Sequence, residues 1–117
     1  SGPAALPPER ILRAATRGGA AALGLEPGAG SIVAGAPADL VLVDGESPRL
    51  QPLVHGERVS TVYGNLVFAA TAADVTDVMV AGAWRVRDRH LVGLDAPELW
   101  RELAAAGRAL HDTLKDA

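Results

Sequence analysis

The sequence predicts an α+β chain, and three features carry that prediction. An amphipathic helix ends it, with Leu99, Leu103, Ala106, Leu110 and Leu114 at i, i+4, i+7, i+11 and i+15. A hairpin precedes the helix: Val75, Val78 and Val80 lead into Ala81-Gly82, and Trp84 to Arg87 leads back out. Further upstream, Leu40 to Val43 is apolar without alternation between Asp39 and Asp44. Such a run reads as a strand covered on both faces.

In chain order, Ser1 to Pro7 is a lead-in. Pro7-Pro8-Glu9 opens a helix, with proline and an acid in its first turn. Ile11, Leu12, Ala14 and Ala15 form a short apolar stripe. Gly18-Gly19 loosens the middle, Thr16 is placed to cap a second piece, and Gly24 stops it. Pro8 to Gly24 is therefore expected as one or two helices, broken near the glycine pair. Glu26 to Ala38 is turn-rich, and Ser47 to Gly56 is irregular around Pro48 and Pro52. Arg58 to Ala69 is partly β-branched, but Val59, Val62, Leu66 and Ala69 recur at helical spacing, which favours a short helix. Leu91-Val92 extends or follows the hairpin. Asp95 is the expected N-cap of the last helix, with Pro97 near its first position.

Composition limits what such a chain can do alone. Of the 117 residues 49% are hydrophobic, which excludes a disordered segment, but 23 are Ala and only four are aromatic. Alanine brings little apolar area, so the core is thin and the chain is expected to pack against something more. A net charge of −3 gives no general attraction to nucleic acid or anionic membranes. Without cysteine there are no disulfides and no thiolate metal sites. No apolar run reaches the ~18 residues of a membrane span, and no basic-then-apolar leader opens the chain. A cytoplasmic protein is expected.

Each candidate site has a structural competitor. Gly28-x-Gly30 before Ser31-Ile32-Val33 superficially resembles a dinucleotide fingerprint. That motif needs a strand before its glycines and a helix after them; here the order is reversed and Val33 holds the third glycine position, so turn geometry is the reading. His55, His90 and His111 lie too far apart for one metal-binding strand or helix face. Arg85, Arg87 and Arg89 alternate, as on the solvent face of a hairpin whose other face buries Trp84 and Val86. Asp39 and Asp44 stand at opposite ends of a strand, ~16 Å apart, too far to share one substrate atom. Asp39 is expected to order the turn before its strand. No nucleophile elbow is present. The expected set of catalytic, metal-binding and cofactor-binding residues is empty.

The pieces together carry a resemblance. Leu12-x-x-Ala15-Thr16-x-Gly18-Gly19-Ala20-x-Ala22-Leu23-Gly24 precedes Gly30-Ser31-Ile32-x-x-Gly35-x-x-Ala38-Asp39-Leu40-Val41-x-x-Asp44. Asn65-Leu66-Val67-Phe68 and Asp74-Val75-x-x-Val78-x-Val80-x-Gly82-x-x-x-Val86-x-Asp88 follow. This succession resembles the C-terminal region of the amidohydrolase superfamily, in its branch of triazine hydrolases and guanine, 8-oxoguanine and adenosylhomocysteine deaminases. Ala36 stands where that family usually has Lys, and Ala14 where it often has Met.

The resemblance implies a (β/α)8 barrel carrying a His-x-His pair, two later histidines and an aspartate around one divalent metal, zinc or iron, which activates water. None of those residues has a counterpart here. The implied layout is closing barrel helices over 1–25, the C-terminal portion of a composite β domain over 26–94, and a C-terminal helix over 95–117. The implied role is a scaffold segment, silent by itself, of an enzyme hydrolysing a non-peptide C–N bond in a purine, pyrimidine or triazine-like ring. Its implied partners are the barrel and N-terminal strands of the same protein, a small-molecule substrate and further copies in a homo-oligomer, but neither nucleic acid nor membrane. Two other readings stand beside it: a stand-alone β-domain binding module, and a small enzyme using His55 with Asp39 or Asp44. The strand Leu40 to Val43 needs neighbours on both sides, so exposed apolar surface and open edges are expected of these residues alone.

Overall fold

The computed structural model describes residues 6–56 and 59–115. The start of the lead-in, residues 1–5, and the beginning of the helix expected from Arg58 lie outside them. The fold is α+β: short helices, a four-stranded antiparallel sheet and a long final helix.

Helix α1 (Pro8–Arg13) starts on Pro7, whose carbonyl accepts from the Arg10 and Ile11 N–H groups at 2.9 and 3.2 Å. It runs through a π-helical turn, Ala14–Gly18, into α2 (Gly19–Ala22). The expected break at the glycine pair does not occur. Gly18 and Gly19 both keep right-handed helical angles. Thr16 caps nothing; its hydroxyl donates back to the Leu12 carbonyl at 2.9 Å, the usual fate of threonine inside a helix. The joint widens into a π turn instead of opening. Gly24 ends the helix as expected, at φ +66°. Its N–H bonds the Ala21 carbonyl and the Leu25 N–H bonds the Ala20 carbonyl, the paired closure that a left-handed glycine permits.

The sheet has the order β1 (Leu40–Val43), β2 (Val75–Val80), β3 (Ala83–Arg87), β4 (His90–Leu91). Val41 faces Val78, Val78 faces Val86, and Val86 faces Leu91, so one apolar row crosses all four strands. Two tight turns build the meander, with positive φ at Ala81-Gly82 (49° and 77°) and at Asp88-Arg89 (47° and 64°). Left-handed two-residue turns match the twist of the strands they join. The second turn lacks glycine and is braced: the Asp88 N–H donates to Asp77 Oδ1 at 3.1 Å and the Arg89 N–H to the Thr76 carbonyl at 2.8 Å. His90 is the first residue of β4.

Strand β1 is as open as the shortage of neighbouring strands leads one to expect. It lies at the sheet edge, paired with β2, and Val41 and Leu42 are 60% and 41% exposed. Both faces are open, as expected for an apolar strand without its neighbours. The apolar run predicts neighbours that the described residues do not supply.

Helix α3 (Val62–Phe68) forms within the stretch expected to be helical. Its Asn65 amide donates to the Leu50 carbonyl at 2.6 Å and ties down the 3-10 turn Pro48–Leu50. Leu50, 1% exposed, is the one fully buried hydrophobic side chain among the described residues, which confirms how thin the core is.

Helix α4 (Ala96–Lys115) begins where Asp95 Oδ1 accepts the Glu98 N–H at 3.0 Å. Asp95→Ala is expected to cost about 1 kcal/mol and to reduce helix content in far-UV circular dichroism; an unchanged spectrum and melting curve would show that the cap is idle. No helix among the described residues is long and apolar enough to cross a membrane.

Candidate functional site

Two features stand out, a buried carboxylate and an open groove. The carboxylate is Asp74, 1% exposed. It ends the 3-10 turn Ala72–Asp74, which it closes reciprocally with Thr71: Asp74 Oδ2 accepts the Thr71 N–H at 2.8 Å and the Thr71 hydroxyl at 3.0 Å. Ser47 Oγ donates to Oδ1 at 2.6 Å. Arg49 completes the set, with Nη2 on Oδ1 at 3.0 Å and Nε on Oδ2 at 3.3 Å. The Arg49 guanidinium, then Ser47 and the Thr71 N–H, hold the acid well below the ordinary carboxylate range, against the opposing effect of burial. The Asp74 carbonyl also receives the Asp44 N–H at 2.7 Å, so this residue joins β1, β2 and the Ser47–Leu50 loop. With both oxygens saturated by donors, it is a brace. It has no free lone pair aimed at a substrate.

The groove has a volume of about 600 Å³. Leu12, Thr16, Gly30, Ile32, Val41 and Leu66 are among the residues that line it. Gly30 shapes it by close approach: a Cβ there would stand 2.6–2.7 Å from the Thr16 carbonyl group and the Arg17 nitrogen, at φ +75°. The glycine loop thus seats its own backbone on the π turn. It is a joint between loop and helix, as its reversed order implied. The lining is mostly aliphatic and includes Leu40, Val41 and Val43 of β1.

The remaining candidates separate. Asp39 Oδ1 accepts the Ala81 N–H at 2.7 Å, so it orders the β2–β3 turn and not the turn before its own strand; pairing of Leu40 with Met79 brings that hairpin turn beside it. Asp44 accepts the Glu46 N–H at 3.0 Å and Arg89 Nη2 at 2.9 Å. Arg89 therefore leaves the expected arginine stripe and reaches back across the sheet, while Arg87 lies over the Trp84 ring, 5.1 Å from its centroid. His55 bridges Ser60, His90 sits in β4 with Nδ1 at the Asp88 carbonyl, and His111 is on α4. Among the described residues no three His, Asp or Glu side chains gather so as to hold a metal ion.

Residues 2–85 match the model of the amidohydrolase family. The chain belongs to that family. Curated amidohydrolase relatives include the 5-methylthioadenosine/S-adenosylhomocysteine deaminases of Nitratidesulfovibrio vulgaris, 37% identical over 96% of this chain, and of Syntrophobacter fumaroxidans, 34% identical over 92%. This chain spans 24% and 23% of their lengths, about a quarter. In the crystal structure of an adenosine deaminase from Xanthomonas campestris with bound zinc, a segment matches 97% of this chain with a TM-score of 0.76 and 38% identity; the match covers 24% of that protein. A triazine hydrolase variant matches 86% of the chain at a TM-score of 0.69 and 25% identity, over 20% of its own length. The amidohydrolase resemblance read from the glycines and the Asp39–Asp44 strand is therefore correct. Among the described residues, the scattered histidines do not fit a metal centre.

Proposed function

We propose that this chain is a scaffold segment of a metal-dependent amidohydrolase that deaminates an adenine-type ring, hydrolysing a non-peptide C–N bond. The observation that carries this reading is the identity with named deaminases along nearly the whole chain but only about a quarter of theirs. In this reading residues 1–25 close a barrel formed by the other three-quarters, residues 26–94 contribute half of a composite β domain, and residues 95–117 form its terminal helix. The rest of the polypeptide then covers β1 and fills the groove. The divalent metal, zinc or iron, and the substrate both belong to the barrel.

The test is ammonia release from S-adenosylhomocysteine, 5′-methylthioadenosine and adenosine. An enzyme carrying this chain together with a barrel is expected to release ammonia and to lose activity on chelation. The 117 residues alone are expected to release none. Deamination by the chain alone, abolished in His55→Ala, would overturn the scaffold reading.

A further inference from the structure

Asp44-Gly45 is the single Asp-Gly pair of the chain, which has no Asn-Gly. This dipeptide has chemistry of its own. Glycine carries no side chain to shield its nitrogen, so that nitrogen can attack the Asp44 side-chain carbon Cγ. A C–N bond forms, and the carboxyl group, in its neutral form, loses its hydroxyl as water with the Gly45 amide hydrogen. A second water then opens the five-membered imide. Addition at the side-chain carbonyl restores aspartate. Addition at the main-chain carbonyl breaks that carbon's bond to the Gly45 nitrogen and leaves isoaspartate, with the chain running through Cβ and Cγ. The water released in the first step matches the water consumed in the second. The structure holds the carboxylate away from this course. Its Oδ1 accepts the Glu46 N–H at 3.0 Å and its Oδ2 accepts Arg89 Nη2 at 2.9 Å. Arg89 is itself fixed: Nη1 donates to the Ala73 carbonyl at 2.5 Å and the N–H to the Thr76 carbonyl at 2.8 Å. A Cβ at position 45 would stand 3.1 Å from Leu53 Cδ2, so the packing favours the glycine that makes the bond labile.

We propose that Asp44-Gly45 is a latent isoaspartate site that Arg89 keeps closed. Ring closure requires Cγ to turn toward the Gly45 nitrogen, which breaks the bonds to Glu46 and Arg89. The Glu46 bond is local and open to any chain that makes this turn. Arg89, 45 residues away, reaches Asp44 only when the β3–β4 turn is folded beside β1. Isomerisation therefore marks chains in which that turn has opened. The product cannot resume the fold. The Asp44 N–H bonds the Asp74 carbonyl and the Asp44 carbonyl accepts the Ser47 N–H; in isoaspartate those two groups lie one main-chain carbon further apart. The inference rests on this joint and not on the activity proposed above.

Peptide mapping with electron-transfer fragmentation distinguishes the two isomers at position 44 after incubation at mildly acid pH. Far-UV circular dichroism shows which proteins are folded. In concentrated urea, wild type and Arg89→Met are expected to isomerise at the same rate, because nothing there holds the carboxylate. An absence of isoaspartate in urea would overturn the site. Folded Arg89→Met, which keeps the aliphatic stem and loses every donor, is expected to isomerise about tenfold faster than folded wild type. Equal rates would overturn the role of Arg89. Asp95→Ala, whose lost cap bond involves none of these groups, is expected to keep the wild-type rate. A rise in it as large as in Arg89→Met would assign the effect to general loosening and overturn that role as well. Where Arg89→Met does not fold, wild type serves alone. The Arg89–Asp44 pair is partly exposed, so molar sodium chloride is expected to raise the rate about threefold; a rate unmoved by salt would overturn the proposal.

Discussion

Gly30→Ala is expected to lower the stability of the chain by about 3 kcal/mol, read as a fall in the urea midpoint. Two costs add. Alanine at φ +75° occupies a left-handed conformation that L side chains resist. Its methyl group would also stand 2.6–2.7 Å from backbone atoms of Thr16 and Arg17, which cannot swing aside as a side-chain tip can. Gly35 separates the two costs. It has φ +83° with nothing within 4 Å of a new Cβ, so Gly35→Ala keeps the conformational cost alone, about 1 kcal/mol. Equal losses from the two substitutions would show that the loop does not rest on the π turn.

The same comparison explains what the sequence can and cannot reveal. Gly24, Ala81-Gly82 and Asp95 are legible because each acts within a few residues: a helix stop, a two-residue turn and a cap bond are local. That Gly30 has a turn role is legible too. That it abuts Thr16, fourteen positions earlier, is not, because the contact depends on how the helix continues through its glycine pair. Thr71-x-x-Asp74 is a capping pattern that is local and legible in the sequence. Ser47 and Arg49 lie 27 and 25 residues from Asp74, and no local pattern links them to it. The openness of β1 is legible for another reason. An apolar run records the surroundings in which a strand was selected. In the enzyme proposed above those surroundings are the other three-quarters of the polypeptide, in line with the quarter-length match to the deaminases.

Arginine placement shows the same limit. Alternation at 85, 87 and 89 fits one strand face, yet β3 stops at Arg87 and the turn at Asp88-Arg89 sends the third guanidinium to Asp44. One tight turn without glycine is enough to move it. The groove follows from these long-range placements together: helix, glycine loop and β1 surround an aliphatic space that no single stretch of sequence announces.

Asp74→Asn is expected to be the most damaging polar substitution, lowering the melting temperature by about 10 °C or more. The amide keeps the shape but turns one acceptor into a donor facing Ser47, Arg49 and Thr71, all of which already donate. Arg49→Gln is expected to do less, because Arg49 is half exposed and the carboxylate keeps its other donors. The acid limb gives an independent check. The folded state holds Asp74 ionised to lower pH than the unfolded chain, whose value is the ordinary 3.8. As pH falls below about 4, the unfolded chain takes up this proton first. The stabilisation is therefore complete above that pH and is lost progressively beneath it, toward the folded value. Wild-type stability should fall with acid along a slope that includes about one proton from this site, and Asp74→Asn should lack that contribution. Parallel acid limbs for the two proteins would show that Asp74 titrates as an ordinary surface carboxylate, and its role as the brace joining β1, β2 and the Ser47–Leu50 loop would fail with that result.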